Sequence, residues 1–144
     1  MAQTTYRPAK GRDIDAAAIT ATTVTAAIVG NVTGNVTGAL IRNTQTLTAT
    51  ATVTVTNGTL VLNHATVVIA AVIPALSVGE ELVIYDGSAS GTAAHTATLT
   101  SPQTYNAAGN TIATLNAPGE CLIVRCIATN VLAILVNTGS VALS

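Results

Sequence analysis

Every even position from Thr44 to Thr56 is threonine, while the odd positions from 47 onward read Leu47, Ala49, Ala51, Val53 and Val55. An alternation of period two puts successive side chains on opposite sides of an extended backbone. The stretch therefore predicts a β-strand with one aliphatic face and one hydroxyl-lined face. A helix would scatter the same residues round its circumference. Sheets are the building material this pattern allows, and no helix is needed after residue 44.

Downstream, turn signals recur at short spacing: Asn57-Gly58, Pro74 to Gly79, Asp86-Gly87 with Gly91, Ala108-Gly109-Asn110, Pro118-Gly119 and Thr129-Asn130. Between them lie β-rich runs at 59–73 in one or two pieces, 81–86, 94–100, 111–115, 121–128 and 131–137. With the first strand this makes seven or eight strands at regular spacing. Such spacing predicts an all-β fold, an antiparallel sandwich or jelly roll, over residues 44–144. Its core has to be aliphatic, because the chain has no Phe or Trp and only three Tyr.

Upstream, Gly30-Asn31-Val32-Thr33 is followed by Gly34-Asn35-Val36-Thr37-Gly38. If this segment is extended, one face reads Ile28, Gly30, Val32, Gly34, Val36, Gly38, Leu40, so large and absent side chains alternate. Glycine inside a strand costs roughly 0.5–1 kcal/mol against alanine. Three on one face imply a compensating close approach of other backbone, which a neighbouring copy of the segment supplies. Residues 28–43 thus read as a segment of contact between copies of the chain, with a flexible Gly/Asn loop as the alternative. Residues 1–27 read as an N-terminal arm. Arg7, Lys10 and Arg12 fall in its first part, around Pro8 and Gly11, and suit docking on a partner or a frayed solvated end. Asp13 offers a helix cap to the alanines that follow it, which the β-branched residues among them oppose.

Composition excludes several functions. Five Lys and Arg stand against six Asp and Glu, a net charge of −1 that gives no field for holding nucleic acid or an anionic membrane. No apolar run approaches the roughly 20 residues of a membrane helix, and the N-terminus lacks the apolar stretch of a secretory signal. Sugar and single-strand grooves stack their ligands on aromatic faces, for which only Tyr6, Tyr85 and Tyr105 are present.

Catalytic groups are equally sparse. Glu80, Glu81, Asp86 and Glu120 all read as turn or strand-end residues, and Asp13 and Asp15 lie in the arm. His64 and His95 have no second ligand at metal spacing, so neither a metal nor a cofactor is expected. Alternation groups His95 with Ala93, Ala97 and Leu99, as a partly buried structural or subunit-contact histidine. Cys121 and Cys126 are separated by an odd number of positions and fall on opposite faces of a regular strand, which excludes a disulfide between them. Arg125 shares a face with Cys121 and Ile123, where it suits edge-strand protection or a subunit ion pair. The Asn-X-Thr triplets are treated as chance matches, since no secretory route is indicated.

The GNVTGNVTG repeat with its Thr-rich strand, then LVIYDGSASGTAAHTATLT, TIATLNAPGECLIVR and the ending NTGSVALS, resembles head decoration (cement) and head-fibre proteins of tailed bacteriophages. The resemblance runs from about residue 28 onward. The chain departs from it in carrying VLAILVN where an aromatic residue is common in the last strands. The resemblance implies a homotrimeric, non-enzymatic virion protein, assembled in the host cytoplasm. It would bind the major capsid protein on the outer capsid surface and stabilise the particle there. One rival is a receptor-binding or adhesive module of a head or tail fibre with a host-surface glycan as ligand. Another is a polysaccharide-cleaving spike, which would need a carboxylate pair.

Overall fold

The computed structural model describes residues 42–144, which belong to the second of two units into which the chain divides between Gly38 and Ala39. Among the described residues there is no helix. The strands are β1 (Asn43–Leu47), β2 (Ala51–Thr52), β3 (Gly58–Leu62), β4 (Ala70–Ile73), β5 (Glu81–Asp86) and β6 (His95–Leu99). After them come β7 (Thr104–Tyr105), β8 (Ile112–Leu115), β9 (Cys121–Ala128), β10 (Val131–Thr138) and β11 (Ala142–Leu143). Six of these form one sheet in the order β1-β3-β5-β9-β10-β7, called sheet A here, and five form sheet B in the order β11-β8-β6-β4-β2.

The first six strands alternate between the sheets. β1, β3 and β5 pair in parallel in sheet A, and β2, β4 and β6 pair in parallel in sheet B. Each turn of the chain thus lays one strand in each sheet and stacks on the turn before it, as in a β-solenoid. The remaining strands close the stack. β8 runs antiparallel to β6 and β9 antiparallel to β5, and β10 returns along β9 through a turn at Thr129-Asn130. Asn130 sits there at φ 65, a conformation that asparagine tolerates better than most residues.

The all-β expectation agrees with this architecture, whereas the antiparallel sandwich or jelly roll does not. Parallel pairing decides against it. The expected single strand over 44–56 is two strands, because the chain bends at 48–50 to cross from sheet A to sheet B. Alternation survives on either side of the bend, with Leu47, Val53 and Val55 buried, but Ala49 and Ala51 are exposed.

The core is aliphatic and lies between the sheets. In sheet B the inward row Ala71, Ala97, Ala113 runs across three adjacent strands, every member fully buried. The one aromatic ring of the core, Tyr105 of β7, reaches this row through its hydroxyl, which donates to the Ala97 carbonyl at 3.2 Å. Burial raises the Tyr105 pKa well above the usual phenol range, so the hydroxyl stays a donor. Gln103 substitutes for a strand: its Oε1 accepts from the Leu76 amide at 2.8 Å and its Nε2 donates to the Leu76 carbonyl at 2.6 Å.

Gly58 sets how closely β1 approaches β3. A Cβ there would land against the Asn43 carbonyl oxygen and lie 2.9 Å from Val55 Cγ2. Gly58→Ala should therefore push β1 off the sheet edge at a cost of about 1–3 kcal/mol. Hydrogen exchange of the β1 and β3 amides is the readout, with faster exchange confined to that edge.

Candidate functional site

Three places gather polar or apolar groups that could serve a function. The first is internal. Asp86 ends β5, Ser88 follows in the connection to β6, and His95 opens β6; all three are buried. Asp86 Oδ1 accepts from the Ser88 amide at 2.9 Å, Ser88 Oγ donates to the His64 carbonyl at 3.1 Å, and His95 Nδ1 accepts from the Ile69 amide at 3.1 Å. His95 Nε2 then faces Ser88 Oγ at 3.3 Å and Asp86 Oδ1 at 3.9 Å.

These are the residue types of a Ser-His-Asp relay, but the roles are misassigned for one. A nucleophilic serine needs to give its proton to an imidazole nitrogen whose partner nitrogen is held by the carboxylate. Here the far nitrogen of a neutral ring accepts from a backbone amide, so Nε2, the nitrogen beside Ser88, is the one that carries the proton. The serine proton goes to the His64 carbonyl instead. The arrangement works as a clasp between successive turns of chain. The His64 side chain braces its own connection, its Nδ1 accepting from the Thr66 and Val67 amides at 3.2 and 2.9 Å.

The connections between β3 and β4 and between β5 and β6 are stacked on each other by this clasp. Thr92 N donates to the Ala65 carbonyl at 3.1 Å, and a Cβ on Gly91, at φ +154, would collide with that same carbonyl. Ala89 and Ser90, between the clasp and the stacked glycine, are exposed.

The second place is a charge cluster on the outer surface of sheet A. Arg42 and Arg125, the only Lys or Arg in residues 42–144, both bind Glu81, at 2.7 Å each, on its two carboxylate oxygens. Arg42, then Arg125, holds the Glu81 carboxyl below the usual glutamate range. A lowered folded value means that the cluster stabilises fully above the pKa of the unfolded glutamate and is lost as pH falls through the folded value. The stability difference between Glu81→Gln and the parent should accordingly be largest at neutral pH, about 1 kcal/mol or less for so exposed a site, and vanish in acid. Thermal unfolding scans at pH 7 and pH 3 measure it.

The third place is the rest of that outer surface. Facing outward in register are the rows Thr59, Val83, Ile123, Val136 and Val61, Tyr85, Cys121, Thr138, with Glu81 and Arg125 forming the row beyond. Tyr85 and Val136 are 39% and 41% exposed. The outer rows of sheet B differ: Ala70, Thr96, Thr114, Ala142 and Thr52, Val72, Thr98, Ile112 present mostly hydroxyls and methyls. A bulge between Ile134 and Val136 turns Leu135 outward as well, 48% exposed.

Several sequence expectations meet the structure here. Cys121 faces out and Cys126 in, and both are free thiols, as the odd spacing required; burial raises the pKa of each. His95 is structural, and fully rather than partly buried. Arg125 corrects the edge-strand reading, since β9 is interior, between β5 and β10; within the chain it pairs with Glu81. Glu80 and Glu120 accept from turn amides, Ser77 at 2.6 Å for one and Asn116 at 2.6 Å for the other, in line with the turn roles expected. Ser88 was not singled out by sequence; its only signal is the Asp-Gly-Ser turn. Among the described residues no three of His, Cys, Asp and Glu meet in a way that could hold a metal ion. The docking residues Arg7, Lys10, Arg12 and the trimer segment Ile28, Gly30, Val32, Gly34, Val36, Gly38, Leu40 lie outside the described residues. Comparison with protein-family models and with curated proteins found no match to this chain.

Proposed function

We propose that this chain is a non-enzymatic structural protein of a tailed-bacteriophage virion, a homotrimeric cement protein that binds the outer capsid and stabilises it. The observation that carries the reading is how the polar groups are used. Among the described residues no buried side-chain nitrogen or oxygen lacks a partner, and the one cluster with catalytic residue types has its donors and acceptors committed to holding turns together. Such a body is built to persist. The motif resemblance of residues 28–144 supplies the virion context.

On this reading stabilisation is mass action: a protein that binds only the assembled particle shifts the balance toward it. Arg7, Lys10 and Arg12 dock the arm on the major capsid protein, and three arms per trimer add avidity. Particles with and without the protein, imaged and then challenged by heating, test the reading. Added density on the outer surface and a higher temperature of DNA release are expected. Unchanged particles that bind none of the protein would overturn it. An adhesive module of a head or tail fibre is the second reading, favoured by Tyr85, the exposed aromatic ring of sheet A. Binding of the isolated protein to host cells or their glycans would decide for it.

A further inference from the structure

The outer face of sheet A is unlike a solvated sheet surface. Its middle row reads Thr44, Thr59, Val83, Ile123, Val136, and charge is confined to one flank, where two guanidinium groups share one carboxylate. The opposite flank carries Tyr85 and Cys121 and no charge. We infer that this face is where three copies of the chain close around a common axis, the Arg125 flank of each copy packing on the Tyr85 flank of the next. The inference rests on the homotrimer proposed above and names the surface that makes it.

Geometry supports closure by three. Five residues of strand span about 17 Å, and an equilateral triangle of that side places each sheet about 5 Å from the axis, half the roughly 10 Å spacing of packed sheets. Side chains of the middle row then meet at the axis without leaving a channel, in layers about 4.8 Å apart. Five strands give a face of roughly 400 Å² in projection, within the range of the largest apolar patches on single chains. Each face is shared between two neighbours, so the closed ring buries the three faces together, about 1,200 Å² in projection.

Charge gives the contact its direction. The Arg42, Glu81, Arg125 cluster carries a surplus positive charge, so like flanks repel. A ring joined head to tail sets the surplus guanidinium of one copy over the Tyr85 ring of the next, a favourable cation–aromatic contact.

The test uses the full chain. Sedimentation velocity should give three times the single-chain mass for the parent and the single-chain mass for Val83→Glu combined with Ile123→Glu. Thr96→Glu combined with Thr114→Glu, on the outer face of sheet B, should leave the trimer intact. The milder changes Arg125→Ala and Tyr85→Ala should each raise the concentration at which trimers dissociate at least tenfold. A second measurement needs no variant that might misfold. Cys121 lies in the Tyr85 row, so it should be alkylated at least tenfold more slowly in concentrated trimer than in protein diluted to single chains, while Cys126 stays slow in both. A monomeric parent, a trimer that survives the sheet A changes with its circular dichroism unaltered, or a Cys121 that labels equally fast in trimer and monomer would each overturn the inference. Trimers that close through this face yet fail to load on particles would uphold it and overturn the capsid reading. Trimers that load with the face mutated would do the reverse.

Discussion

Tyr105→Ala should lower the stability of the body by about 3–5 kcal/mol, the range for truncating a buried aromatic side chain. The ring is the one aromatic group of an otherwise aliphatic core, and Ala97, which its hydroxyl reaches, and the row neighbours Ala71 and Ala113 are too short to close a void of that size. Backbone ladders on both sides hold those alanines in register, so the sheets have little freedom to collapse inward. Tyr105→Phe separates the two contributions. It keeps the volume and removes only the hydroxyl bond to the Ala97 carbonyl, at about 1 kcal/mol. Urea midpoints at constant slope measure both. Equal losses for the two variants would mean that the hydrogen bond, and not the filled volume, ties β7 to sheet B.

His95→Leu should cost about 3 kcal/mol even though it places an apolar side chain of similar size in an apolar setting. The Ile69 amide would lose its acceptor, a penalty of about 1–3 kcal/mol for a buried donor, and Asp86 would lose the ring that faces it. His95→Asn should recover much of the loss, because its side-chain oxygen can stand where Nδ1 stands. His95→Gln, whose oxygen reaches toward Nε2 instead, should not. Exchange of the Ile69 amide, about tenfold faster in the Leu and Gln variants than in the Asn variant, reports the same difference at one atom. If all three behave alike, packing dominates and the clasp is incidental.

The strands most legible in the sequence are those whose boundaries are chemical. Residues 81–86 and 121–128 were expected as strands and are β5 and β9, bracketed by Gly79, Asp86-Gly87, Pro118-Gly119 and Asn130. The parity of His95 with Ala97 and Leu99 placed it on the buried face for the same local reason. Which strand lies beside which was not legible. A turn that reverses the chain within a sheet and one that hands it to the facing sheet draw on the same glycine, proline and asparagine. The bend at 48–50 carries none of them and leaves the Thr alternation unbroken. Registers such as Asn43 on Gly58 and Gly58 on Leu82 join residues too far apart for any local pattern to record. The clasp was hidden likewise, since Ser88, His64 and His95 meet only when one turn of chain is laid on another.

The stacked connections separate length from architecture. The β5–β6 connection is tied down at Ser88, at Gly91 and at Thr92, while Ala89 and Ser90 between those ties are exposed. Nothing in the pairing of β3 with β5 or of β4 with β6 depends on how many residues pass through that gap. Extra sequence can therefore enter between Ala89 and Ser90 as a loop on the rim, at the small entropic cost of a longer closed segment. The fold thus works as a shelf: its ladders fix where a graft is carried, and the graft can change while they stay the same.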